Sequence, residues 1–276
     1  MSASDPFFSN GEKLIFPKSM RNSIMESVVV VTPNRHVIVF DGGHYSDAEH
    51  LVEIVRQFGN GVDYWFLSHA HDDHCGAIIE LAKSNPAALE IRNVLYAFPP
   101  QEWLAANEAW SKDETAAICS GVAALPWPKT ILRKGDRFEV DGALAEVLNF
   151  YDLNIANSNS CNESSLVFSL KMGGKRLIFP GDIGPAMSKV LIDEYGDALK
   201  ADIVVLSHHG QNGATKEFYA KVAPEIAIWQ TPSWLWDNDS GGGPGSGTWQ
   251  TNYVKCWLQD LGIRRQYRNA EDIVIE

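Results

Sequence analysis

Between positions 67 and 77 the chain reads LSHAHDDHCGA. Three of its eight histidines and two aspartates fall within six positions, His69 to His74, directly after the apolar run Tyr64-Trp65-Phe66-Leu67. Polar groups at the end of a buried strand are costly unless something pairs with them. A metal ion suits that role, because neutral imidazole and carboxylate are ligands of zinc, iron and manganese. His69 and His71 stand two apart on an extended segment, so their side chains point the same way and can grip one ion. Asp73 and His74 stand where the chain turns into a helix, where they could face a second ion. Asp72 fits a solvated loop and is given no role.

Two further clusters follow apolar runs. Asp182 ends KRLIFPGD, and His208 and His209 follow DIVVLS. Strands that are neighbours in a sheet can bring such ends to one point. A carboxylate such as Asp182 can bridge two cations. Two cations about 3.5–4 Å apart can activate a water and stabilise a leaving oxygen. Asp73 or Asp182 would orient that water and take its proton. Read singly, Asp182 also fits a helix N-cap, and His208-His209 an exposed loop. Neither a Ser-His-Asp arrangement nor a GxxxxGK[ST] loop offers a different chemistry.

The elements that must position these residues are legible in outline. Residues 27–32 and 36–40 read as a hairpin around TPNR, and Asp41-Gly42-Gly43 ends its second strand. Ser46 reads as an N-cap before a helix to about 58. Strand 63–67 delivers the histidine cluster, and a helix over about 75–84 and strand 91–97 follow. Residues 100–125 read as helical. Strands are expected near 130–133, 137–140, 143–150, 165–171 and 175–180, the last two joined by a tight turn. Helices near 184–195, 215–222 and 250–260 alternate with strands 202–206 and 225–229, and two strands end the chain. Strands first, then alternating strand and helix, twice over, suit two packed sheets with helices outside. One domain over 1–276 is expected.

Composition narrows the function. Of 276 residues, 45% are hydrophobic, enough for a large core. The net charge of −12 argues against broad nucleic-acid binding, although a dication inverts the field locally. Arg264, Arg265 and Arg268 read as solvated strand residues or a small basic patch. The four cysteines are far apart and resemble reduced cytosolic thiols. No leader is expected in MSASDPFFSNGEK, and no apolar run approaches a membrane span, so a cytoplasmic location with no membrane partner is expected. Cys75 reads as a small packed residue, and His36, His44 and His50 as surface histidines, with His44 near enough to Asp41 to edge the site. The glycine-rich loop SGGGPGSG, flanked by Trp234, Trp236 and Trp249, is a candidate substrate rim or an ordinary surface loop whose tryptophans pack on the core.

Phe40-Asp41-Gly42-Gly43, His69-x-His71-x-Asp73-His74, Gly181-Asp182 and Ser207-His208-His209-Gly210, in that order, resemble the metallo-β-lactamase superfamily. NESSLVFSLKMGGKRLIFPGDIG and ADIVVLSHHG are most similar to the domain of that type in the DNA-uptake competence proteins. The resemblance implies an α/β, four-layer αββα sandwich with a dinuclear metal site at one edge. It implies one ion held by His69, His71 and Asp182, and another by Asp73, His74, Asp182 and either His209 or His208, with His209 favoured as the residue before glycine. Asp41 would orient the metal-binding loop from behind. No histidine lies between His74 and His208, and Asn162 or a neighbour takes the place of the family's third-motif histidine. The expected cofactor is one or two divalent ions, zinc, manganese or iron. The expected activity is hydrolysis of a phosphodiester or nucleotide-like small molecule. A thioester, lactone or β-lactam hydrolase and a non-catalytic metal-binding module are the alternatives.

Overall fold

Two seven-stranded sheets lie face to face in the computed structural model, which describes residues 7–276. Residues 1–6, part of the stretch expected to lack a leader, lie outside the described residues. The first sheet runs Ile273–Ile275, Lys13–Phe16, Ser27–Val31, Val37–Asp41, Tyr64–Phe66, Val94–Tyr96, Lys129–Ile131. The second runs Arg265–Arg268, Ile226–Trp229, Ile203–Val205, Lys175–Phe179, Phe168–Met172, Ala143–Val147, Arg137–Val140. Each sheet has antiparallel strands on one side and a run of parallel strands on the other.

Three apolar layers hold the molecule together. Between the sheets, Phe40 stacks on Phe66 with centroids 5.0 Å apart and meets Phe168 at 5.3 Å and Phe179 at 5.6 Å. On the outer face of the first sheet, Val29, Val39 and Trp65 pack with Leu51, Val55 and Ile78 of the helices Ala48–Arg56 and Asp72–Ser84. On the outer face of the second, Ile178, Val204 and Ala227 pack with Met187, Leu191 and Phe218 of the helices Pro185–Tyr195 and Lys216–Val222. Strands covered on both faces are apolar almost throughout, which is why SVVVV and IAIW show no alternation. This is the expected αββα sandwich. No helix among the described residues is long and apolar enough to cross a membrane.

Several expectations need correction. The strand Lys13–Phe16, too short to stand out in the sequence, lies between Ser27–Val31 and the last strand, Ile273–Ile275, which forms the edge. Residues 100–125 form two helices, Gln101–Asn107 and Lys112–Ala123, broken at Glu108. His44, not Ser46, caps the short turn Tyr45–Asp47 that leads into Ala48–Arg56. The polar stretch before Phe168 contains a short helix, Ser160–Glu163. His36 and His50 are half-buried beside carboxylates, 3.0 Å from Asp63 and 2.8 Å from Asp272, not free surface groups.

Candidate metal centre

The parallel strands carry their C-terminal ends to one edge of the sandwich. Val37–Asp41 and Tyr64–Phe66 are parallel neighbours in one sheet, and Lys175–Phe179 and Ile203–Val205 in the other. Each is followed by a polar segment. The two sheets are tied at this edge by Leu166 N–H donating to Ser68 O at 2.9 Å. His208 N–H donates to Gly181 O at 3.3 Å across adjacent strand ends.

His71 is the extended residue before the helix Asp72–Ser84, which places Asp73 and His74 in its first turn. His208 and His209 both adopt left-handed backbone, φ +53° and +56°. That conformation costs about 1–2 kcal/mol per non-glycine residue, so surrounding bonds must hold it. Ser207 Oγ donates to Ile183 O at 2.8 Å, and Thr231 Oγ1 donates to His209 O at 2.6 Å. Gly210 follows at φ +77°, where a Cβ would sit 2.3 Å from the Trp229 ring.

These segments gather Asp73, His74, Asp182 and His209 into one group with His69 beside it, while His71 meets His69 on one side and groups with Glu108 and Cys161 on the other. Asp182 stands at the middle, 1% exposed. Its Oδ1 lies 3.3 Å from His74 Nε2. Its Oδ2 lies 3.6 Å from His209 Nε2, 3.8 Å from His208 Nε2 and 4.0 Å from His69 Nε2. Asp73 Oδ2 is 2.9 Å from His209 Nε2 and 3.8 Å from His74 Nε2. His69 Nε2 and His71 Nδ1 are 3.1 Å apart. Asp73, His74, Asp182 and His209 each offer one atom within 4.8 Å of all the others, the spacing of ligands around one ion. His208 occupies the more open side, where Asn162 Nδ2 is 3.3 Å from its Nε2. Asn162 is buried and its Oδ1 has no hydrogen-bond partner among the described residues.

Outer partners decide which ring nitrogen faces inward. His74 Nδ1 lies 2.7 Å from Asp41 Oδ2, and His69 Nδ1 lies 3.0 Å from Ser68 Oγ. Ser68 donates its own hydroxyl to Asp41 at 2.6 Å and its N–H at 2.7 Å. With those protons on Nδ1, both Nε2 atoms keep lone pairs for a cation. Cys75 is packed as expected, its thiol donating to His69 O at 3.1 Å.

The electrostatics match a cation site. Burial pushes the Asp182 carboxyl up, but His74, His209 and His208 outweigh it and hold the group well below the usual carboxylate range. Asp73 is lowered in the same way, against its burial, by His74 and the hydrogen bond to His209. Burial lowers His74, yet Asp182, Asp73 and Asp41 raise it well above the ordinary imidazole value. His69 is lowered well below that value by burial and by the neighbouring His74 and His71. His74 Nε2 and Asp182 Oδ1 are buried without a hydrogen bond despite their close approach. Buried polar atoms of that kind need a partner, and a divalent cation fits both the donor set and the spacing.

Sequence reasoning missed three buried acids and thiols here. Glu108 Oε1 lies 3.2 Å from His71 Nε2. Cys161 completes a buried trio with them. Glu26 is fully buried beside His74, and burial together with Asp182 pushes its carboxyl well up. None carries a spacing signal, since each meets the site only through the fold. The tryptophans flanking the glycine loop are largely engaged: Trp236 packs edge-on against Trp229 at 5.1 Å, and Trp234 lies 5.1 Å from Trp249. Trp110, 67% exposed with its ring 6.0 Å from that of His71, is the aromatic that borders the cluster.

Comparison with known proteins agrees with this architecture. The family model described as the metallo-beta-lactamase superfamily matches residues 24–228. Competence protein ComA of Neisseria gonorrhoeae is 27% identical over 205 residues, covering 73% of this chain and 25% of that protein. ComE operon protein 3 of Bacillus subtilis (strain 168) is 28% identical over 169 residues, covering 60% of this chain and 20% of that protein. The chain thus spans only a fifth to a quarter of the length of these relatives. The metallo-beta-lactamase fold protein YhfI from Bacillus subtilis superposes with a TM-score of 0.58 at 9% identity, over 96% of this chain and 99% of that one. On the strength of a match that runs from the strand before Asp41 through His209 and beyond, the chain belongs to the metallo-beta-lactamase superfamily.

Proposed function

We propose that this protein is a metal-dependent hydrolase of phosphodiester or nucleotide-like substrates, working through two adjacent divalent ions. The observation that carries the reading is the position of Asp182, a buried carboxylate among imidazoles from both sheets, with Oδ1 facing His74 and Oδ2 facing His69, His208 and His209. In this reading His69 Nε2, His71 Nδ1 and Asp182 would hold one ion. Asp73, His74 Nε2, His209 Nε2 and Asp182 would hold the other. Divalent ions held there would lower the pKa of a bound water and offset charge on the scissile group. Asp73 or Asp182 would orient the attacking water and take its proton. His208, partly exposed beside Asn162, faces the side from which substrate arrives. Its Nδ1 lies 3.3 Å from Asn212 O, which anchors the ring.

The substrate class rests on the likeness to proteins named for competence, an analogy of fold and sequence, and on one local feature. Trp110 presents an exposed indole beside His71, a surface on which a nucleobase or other planar group can stack. The test is hydrolysis of bis(p-nitrophenyl) phosphate by metal-stripped protein reloaded with Zn²⁺ or Mn²⁺, alongside Asp182→Asn. Metal-dependent turnover that the variant loses supports the reading. No turnover with either ion, together with a single tightly bound ion, would favour a non-catalytic binding module, and turnover of an acyl thioester or nitrocefin alone would move the substrate to carbonyl compounds.

A further inference from the structure

We infer that Glu108 is a positioning residue of the metal centre, fixing the ring orientation and tautomer of His71. The Nε2 of His71 lies 3.2 Å from Glu108 Oε1, while Nδ1, across the ring, lies 3.1 Å from His69 Nε2. A ring that donates Nε2–H to a carboxylate keeps Nδ1 unprotonated, the form that binds a cation. Asp41 and Ser68 play the mirror role for His74 and His69, where they hold the proton on Nδ1 and leave Nε2 free. Glu108 completes the set for the one remaining histidine of the HxHxDH run.

The carboxylate is itself pinned. Oε1 accepts the Ser111 hydroxyl at 2.7 Å, and Oε2 accepts Cys161 N–H at 2.7 Å. Glu108 is 1% exposed, so these donors stand in for water around the charge. The bond to Cys161 reaches the short helix Ser160–Glu163, which carries Asn162. One side chain thus ties His71 to the segment that replaces the absent third imidazole. Glu108 leaves helical geometry at φ −131°, ψ 65°, at the break between Gln101–Asn107 and Lys112–Ala123, where its carboxylate faces His71. His71, Glu108 and Cys161 lie close enough together to cage an ion of their own. However, both Glu108 oxygens already accept hydrogen bonds, and His71 Nδ1 faces His69.

The inference rests on the metal-centre reading, and the experiment separates the two. Metal-free wild type, Glu108→Gln and Glu108→Leu are titrated with Co²⁺ by calorimetry, with the visible Co²⁺ spectrum and the apo melting temperature recorded for each. Leucine cannot accept a hydrogen bond from His71 Nε2–H; the glutamine carbonyl oxygen still can, without the charge. The expected order of affinity for one ion is wild type, then Gln, then Leu, with a loss of about 10–100-fold in the Leu variant and an altered ligand-field band. Any other bound ion should keep its affinity. Unchanged affinity and spectrum in both variants would overturn the inference, as would equal losses in both that simply track a lowered apo melting temperature. If the Leu variant does not fold, the Gln variant decides alone: an altered spectrum at an unchanged apo melting temperature supports the role, and an unaltered spectrum with unaltered affinity rejects it. A wild type that binds no Co²⁺ removes the metal-centre reading and this inference with it.

Discussion

His209 Nε2 lies 2.9 Å from Asp73 Oδ2, although 136 positions separate the two residues and they are carried by different sheets. The contact exists because parallel strands in both sheets end at the same edge. His208, one residue earlier, turns instead toward Asn162 and the open side. The two histidines should therefore separate by experiment. Asparagine tolerates the left-handed backbone that both adopt, so His209→Asn and His208→Asn test side chains and not the turn. His209→Asn is expected to weaken one bound ion on the order of 100-fold or more, while His208→Asn keeps the metal content and loses turnover. Metal analysis after chelator competition, with turnover measured in parallel, checks both. Equal metal loss in the two variants would place His208 among the ligands.

Gly210 makes that turn feasible. Its φ of +77° disfavours any side chain, and a Cβ would come within 2.3 Å of Trp229, whose indole is held by Gln266 at 3.0 Å. Gly210→Ala should destabilise the protein by on the order of 3 kcal/mol, from backbone strain and overpacking together. Urea unfolding of the apo protein reads this directly. A midpoint equal to wild type would mean the loop repacks with ease.

Asp41 also has positive φ, +50°, a region that aspartate and asparagine tolerate better than other residues. Asp41→Asn therefore preserves the backbone and changes the acceptors. An amide nitrogen in place of either oxygen opposes a donor, because Oδ1 accepts Ser68 N–H and Oδ2 faces both Ser68 Oγ and His74 Nδ1. With the nitrogen at the Oδ2 place His74 loses the partner that keeps its proton on Nδ1, and at the Oδ1 place Ser68 N–H loses its acceptor and the loop that carries His69 loosens. The expected result is metal affinity reduced by about 10–100-fold, read by chelator competition, with secondary structure by circular dichroism unchanged. Wild-type affinity would show that Asp41 serves the fold alone.

The sandwich and the histidine-aspartate clusters were legible because each is a local pattern. Apolar runs end in polar motifs, and HxHxDH is unusual at any spacing other than a metal site's. Glu108 was not legible. It sits in AANEAWSKDETAA, where alanine, glutamate and lysine on both sides read as helical, and its partner His71 is 37 positions away. Helical propensity is overridden there by tertiary bonds from the buried carboxylate to His71, Ser111 and Cys161. Glu26 was missed for a similar reason. It precedes the strand Ser27–Val31 as an ordinary polar flank, and only the fold buries it against His74 and Asp182. The short strand Lys13–Phe16 gains its identity from pairing with residues near the other end of the chain, at Ile273–Ile275, as well as with Ser27–Val31.

The acid limb of stability should trace to the same cluster. Asp73 and Asp182 are both depressed by surrounding imidazoles, against their burial. A carboxyl whose folded value lies below its unfolded value stabilises the native state fully above the unfolded value, about 3.9 for aspartate, and that contribution is lost as pH falls through the folded value. In that range the raised His74 and His71 are protonated whether the chain is folded or not, so they add no opposing slope. Glu26, raised by burial, is likewise protonated in both states well below pH 4. His69, lowered well below the ordinary imidazole value, takes up its proton less readily when folded and so adds to the loss. The apo protein is expected to lose melting temperature steeply below about pH 4. Asp182→Asn should flatten that slope while leaving the curve's shape above pH 5 nearly intact. Identical acid slopes in variant and wild type would locate the sensitivity outside the metal centre.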